Sequence, residues 1–179
     1  PGLGCFLIRV LKYIGDMQLL YYNYLYVIEI KQQKDGSVFI TQEAYAKRIL
    51  RKFNMLEATP VGTPTVNVQD PEDSVTKQRI TENMPYRTAV GSLMYLATGT
   101  RPDLAHAVSI VSQKLDNATI EDWNKVKRIF RYLNGTVDLG ILYKDNGTKT
   151  IEAFSDADYA QDISTPRSTS GTVCKFADG

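Results

Sequence analysis

The chain has 179 residues, which suits one domain, or one domain and part of another. With 43% hydrophobic and 10% aromatic residues it has the material for a core and is not a disordered tail. Its formal charge is +1, from 21 basic and 20 acidic residues, so no global field favours nucleic acid and any such case rests on local clustering.

Cys5 and Cys174 lie far apart, and neither has a second Cys or a His at ligand spacing. That argues against a zinc site and for two reduced thiols in an intracellular protein. The most apolar stretch, Leu19 to Ile30, is too short to span a bilayer and contains Asn23 and Glu29. No signal peptide is evident at Pro1-Gly2, so no membrane partner is expected.

Residues 24–30 are rich in aromatic and β-branched side chains and read as a strand. Their tyrosines, in the run 21–26, read as core before base-stacking groups. Lys34-Asp35-Gly36-Ser37 is a turn signal, and Val38-Phe39-Ile40 returns as the second strand of a hairpin. Thr41 is the expected N-cap of a helix over 42–54, whose Tyr45, Ile49 and Phe53 form one apolar stripe. Residues 60–85 carry Pro60, Pro64, Pro71 and Pro85 among polar residues and read as a linker.

Three helix patterns follow. The first, over 86–98, aligns Tyr86, Val90, Leu93 and Ala97. The second opens on Pro102 and Asp103, both suited to a first turn, and aligns Leu104, Val108, Val111 and Leu115. His106 is expected at the edge of that helix's buried face. The third opens on Thr119 with Asp122 three residues on, a variant of the capping box. Trp123, Val126, Phe130 and Leu133 form its apolar side, and Asn134-Gly135 ends it. The tail turns to strands: 139–143, a turn at Asp145-Asn146-Gly147, then 151–155 and 171–176.

Four phrases, in order, resemble the Pol polyproteins of copia-type LTR retrotransposons. They are the stretch from Glu29 through PVGTP, then YRTAVGSLMYLATGTRPDLAHAVSIVSQ (Tyr86 to Gln113). WNKVKRIFRYLNGTVDLGILY (Trp123 to Tyr143) follows, and then FSDADYAQD (Phe154 to Asp162) with RSTSG (Arg167 to Gly171). The resemblance covers roughly residues 24–179; residues 1–23 fit poorly. Val27, Tyr159, Gln161 and Lys175 depart from the family pattern. The resemblance implies an α+β chain in four parts: residues 1–59, a hairpin and helix ending the reverse transcriptase region; the linker 60–85; a helical connection unit over 86–135; and residues 136–179, a truncated ribonuclease H-like sheet. It implies a parent that is an RNA-directed DNA polymerase with ribonuclease H, and the rest of that polyprotein as a partner.

Polymerase chemistry places two divalent metals on palm aspartates, typically an adjacent pair, and the chain has no Asp-Asp pair. Ribonuclease H chemistry needs four carboxylates around two Mg²⁺ ions. The resemblance assigns the first of them to Asp156, with Asp158 beside it. The remaining ligands have no counterpart in the chain, so Mg²⁺ belongs to the intact parent and no cofactor is expected in the fragment. Lys125, Lys127, Arg128 and Arg131 crowd the third helix of the connection unit, opposite its apolar side. Two readings stand: a grip on the phosphates of an RNA–DNA or DNA duplex, and a solvated helix face. Lys47, Arg48, Arg51 and Lys52 repeat the ambiguity. A rival from another class is a non-catalytic interaction module adopted by its host.

Overall fold

A computed structural model describes residues 28–65, 78–81, 84–144, 150–157 and 170–176. The start of the expected first strand, the Tyr-rich run, the turn at 145–147, Cys5 and Asp158 lie outside them. Contacts divide the described chain into two units. One holds residues 30–39 and those from 141 onward; the other holds 28–29 and 40–140.

Strands β1 (Glu29–Gln32) and β2 (Val38–Thr41) form the expected hairpin. At its turn Gly36 takes a positive φ of 88°, which a side chain would resist. The Asp35 carboxylate accepts from the Ser37 backbone N–H at 3.0 Å and from its hydroxyl, an Asx-type clamp. Those bonds hold the Asp35 pKa below the usual carboxylate value. Strand β3 (Gly140–Tyr143) completes a three-stranded sheet in the order β1-β2-β3.

Helix α1 (Glu43–Lys52) starts one residue later than expected, and Thr41 is not its cap. Thr41 is fully buried, and its hydroxyl donates to the Leu139 carbonyl at 3.3 Å. Gln42 occupies the cap position but its side chain caps nothing; its amide oxygen accepts instead from the Thr100 hydroxyl at 3.0 Å. The free N–H of Ala44 is instead taken by the Glu29 carboxylate at 2.9 Å. A negative charge from β1 thus satisfies the positive helix end that a local cap ordinarily would.

Helices α2 (Tyr86–Gly99), α3 (Ala105–Ser112) and α4 (Ile120–Asn134) follow, with a 3-10 turn over Pro102–Leu104 leading into α3. The proline opens that turn because its missing N–H has no partner to lose there. One core joins all four helices: Ile49 and Leu50 from α1, Leu93 and Leu96 from α2, Val108 and Val111 from α3, and Ile129, Phe130 and Leu133 from α4. Phe53, just past α1, stacks on Phe130 with ring centroids 4.9 Å apart. Helix α1 therefore packs with the connection helices, on the far side of the linker expected to separate them.

Both described ends of that linker are docked. Residues 78–81 run beside the start of α4: the Ile80 N–H donates to Ala118 and the Ile120 N–H to Gln78. Ile80 also packs on the core. The other end, from Pro60 to Thr63, lies along α4 as described below.

In the remaining unit, β4 (Ile151–Ala157) pairs antiparallel with β5 (Ser170–Phe176). Every residue of β4 is exposed. Lys175, odd for an apolar strand, stands directly opposite Glu152, a favourable cross-strand match. No helix among the described residues is long and apolar enough to cross a membrane.

Candidate nucleic-acid interface

The best-specified element is α4. Its capping box is complete: the Asp122 N–H donates to the Thr119 hydroxyl at 3.3 Å, and the Thr119 N–H donates back to the Asp122 carboxylate at 2.9 Å. Val126, Ile129, Phe130 and Leu133 are buried at 1% exposure or less, while Trp123 is only partly covered. That leaves the four nominated basic residues on the outer half of the helix.

Their situations differ. Lys125 sits beside Asp122, with Nζ 3.9 Å from Oδ1. Lys127 makes no hydrogen bond or ion pair among the described residues. Arg128 donates from Nη2 to the Thr63 hydroxyl at 3.0 Å. Arg131 donates from Nε to the Thr59 carbonyl at 2.7 Å. One turn on, Asn134 donates to the carbonyls of Leu56 and Ala58, both at 2.9 Å. Residues 56–63 thus form a strap that runs antiparallel to α4, from its last turn back toward its middle. Gly135 lets the strap approach: a Cβ there would lie 3.0 Å from the Pro60 Cβ. The expected row of four free cations is therefore reduced. Arg128 and Arg131 hold the strap, and among the described residues Lys127 has no hydrogen-bond or ion-pair partner.

The second cluster has mostly local uses. Lys47 pairs with Glu43 at 2.6 Å, Arg48 lies over the Tyr45 ring and Lys52 over that of Phe53. Arg51 and Lys52 also sit in the last turn of α1, where cations offset the negative helix end. His106 is exposed, on the outer side of α3 and not at its packed edge, because Leu104, Ala107 and Val108 fill that edge.

Asp156 lies near the end of β4, opposite Gly171, and is exposed. One of its oxygens accepts from the N–H of Ala157 at 2.9 Å. Among the described residues no three His, Cys, Asp or Glu side chains come together as a metal site. Phe154 and Val173, cross-strand partners on the same face as Asp156, are also exposed, at 57% and 58%.

Comparison with known proteins identifies the lineage. The chain is 40% identical over 152 residues to the retrovirus-related Pol polyprotein from transposon RE2 of Arabidopsis thaliana, a match covering 84% of the chain. It is 36% identical over 155 residues to that from transposon TNT 1-94 of Nicotiana tabacum, again over 84% of the chain. The chain is homologous to a segment of the retrovirus-related Pol polyproteins of plant transposons. It spans 10% of the first polyprotein and 12% of the second. A further relative, secreted RxLR effector protein 161 of Plasmopara viticola, is 43% identical over 98 residues, 55% of this chain and 69% of the effector. No protein-family model matches the chain, and no solved structure matches it.

In this chain the Arg101-Pro102-Asp103 motif has a role that a helix start does not explain. Arg101 is 2% exposed. It grips the Asp103 carboxylate with Nε (3.0 Å) and Nη2 (2.7 Å), and donates to the Thr136 carbonyl and hydroxyl, both at 2.7 Å. Tyr132 completes the cluster, its hydroxyl donating to Asp103 at 3.0 Å and its ring lying under the guanidinium. Burial alone would raise the Asp103 pKa, but the Arg101 and Tyr132 contacts outweigh it and hold it below the usual value. Burial, and then the bond to Asp103, raise that of Tyr132. The motif is a latch between the start of α3 and the end of α4. Neither periodicity nor spacing signals it, because its partner Thr136 lies 35 residues away.

Proposed function

We propose that the chain is the stretch of a copia-type Pol polyprotein that runs from the end of the reverse transcriptase region, through connecting helices, into the first strands of ribonuclease H, a packed connector that cuts nothing by itself. The observation that carries this reading is the match, over 84% of the chain, to two plant Pol polyproteins of which it spans about a tenth. The order of its motifs, with Asp156 on a strand after the connecting helices, agrees with the resemblance. One carboxylate does not hold Mg²⁺ well, since that ion keeps its waters unless several anionic oxygens converge. Asp156 is then an inherited ligand that needs the parent's other carboxylates, and Mg²⁺ is the parent's cofactor.

Under this reading the outer face of α4 tracks the phosphates of an RNA–DNA or DNA duplex, weakly and without regard to sequence. Lys127 is its central contact because its ammonium has no partner among the described residues. Hybrid affinity should fall with salt, and Lys127→Gln should flatten the log–log slope by about one contact, or roughly 0.9 on B-form DNA. Unchanged slopes would leave the face merely solvated.

A second reading has one specific observation behind it. A relative 43% identical, more than two thirds of whose length is matched, is a secreted effector. It supports an adopted interaction module. Duplex binding that Lys127→Gln leaves untouched would favour it.

A further inference from the structure

We propose that Thr63 is a phosphorylation site and that Arg128 is built to receive the phosphate. The proposal is independent of duplex binding.

Thr63 is exposed, in a stretch of the strap that is neither helix nor strand. Pro64 follows it and biases it to an extended backbone. Gly62 precedes it, and a Cβ built there would meet nothing within 4 Å. An open, extended threonine followed by proline is what a proline-directed serine/threonine kinase accepts.

The receptor is the second observation. Arg128 donates from Nη2 to the Thr63 hydroxyl oxygen at 3.0 Å, while its Nε is buried with no partner. A guanidinium presents its donors as a fixed fork, and a single hydroxyl oxygen engages only one prong. A phosphate on that same oxygen brings three acceptor oxygens and about two negative charges, enough to take both prongs. The buried unpaired N–H is thereby satisfied and the strap pinned to α4.

The strap contains its own control. Thr59 is also exposed and also followed by proline. Its arginine, Arg131, donates to the backbone carbonyl and not to the side chain. Thr59 thus offers the same dipeptide without the receptor.

In the transfer, Thr63 Oγ1 attacks the γ-phosphorus of a nucleoside triphosphate held by the kinase. The new O–P bond replaces the bond to the β,γ-bridging oxygen, the nucleoside diphosphate leaves, and the hydroxyl proton passes to the kinase's base.

The test treats the full chain with a proline-directed serine/threonine kinase and Mg-ATP, maps the phosphate by mass spectrometry, and titrates it by phosphorus NMR. The expected result is phosphate on Thr63, with a second pKa about one unit below the roughly 6 of a phosphothreonine free in solution. The same phosphate in a peptide of residues 58–66 should titrate normally, as should phosphate on Thr59 in the chain. Arg128→Gln should restore the ordinary value, and Arg128→Lys should restore part of it. Failure to modify Thr63 would overturn the proposal. So would a phosphate on Thr63 that titrates like the peptide's, a comparison that needs no variant to fold.

Discussion

Arg101 and Asp103 decide more of this structure than their place at a helix start suggests. The guanidinium is almost wholly buried, and its bonds go to a carboxylate, a carbonyl and a hydroxyl. Removing one partner of a buried ion pair costs several kcal/mol because the other is left uncompensated. Asp103 keeps a third of its side-chain exposure, so water relieves part of that cost. Arg101→Met should therefore destabilise by about 2–3 kcal/mol, read by urea unfolding at pH 7. A loss under half a kcal/mol would mean the latch is ornamental. The lowered pKa of Asp103 fixes the sign of a pH effect. A carboxyl whose folded pKa lies below its unfolded value near 3.9 stabilises above that value and loses the contribution as pH falls through the folded one. Thermal unfolding from pH 6 down to pH 2 should show wild type losing more stability below pH 4 than Asp103→Asn. Parallel curves would contradict the assignment. None of this was legible in the sequence, because a buried arginine is recognised by where its partners fold.

At the scale of elements, periodicity carried most of the information. All four helices, and each strand that falls among the described residues, lie within a few residues of where apolar spacing and capping put them. The capping box of α4 formed from Thr119 and Asp122 as their spacing predicts. Two features escaped for a shared reason. Thr41 looked like a cap, but Glu29, 15 residues before the Ala44 N–H it accepts from, supplies the charge that α1 needs. The four cations of α4 looked free, but oxygens of a strap more than 60 residues earlier take two of them. Long-range bonds leave no local pattern. The same strap changes what cleavage of the linker should do. Protease should still cut first between Val66 and Asn83, a polar stretch without apolar period. Since α1 packs into the core of the later helices, the nicked halves should stay together as one species on gel filtration without denaturant. Separation would mean that α1 and the connection helices are independent after all.

At the scale of the whole molecule, one unit is a closed helical core and the other ends in a two-stranded ribbon with both faces exposed. Such a ribbon is marginally stable by itself. Under the proposed function, the helices are the self-sufficient part of the connector and the ribbon is the part that needs further contacts. Family membership was legible because four phrases stood in order; activity was not, since a carboxylate site depends on residues that must converge in space. The decisive measurement incubates the purified chain with a doubly labelled RNA–DNA hybrid and Mg²⁺, reading anisotropy and product length in the same samples across a salt series. The account predicts binding that weakens steeply with salt while the RNA strand stays intact. Mg²⁺-dependent cleavage that disappears in Asp156→Asn would contradict it, for it would show that this segment carries a complete site of its own.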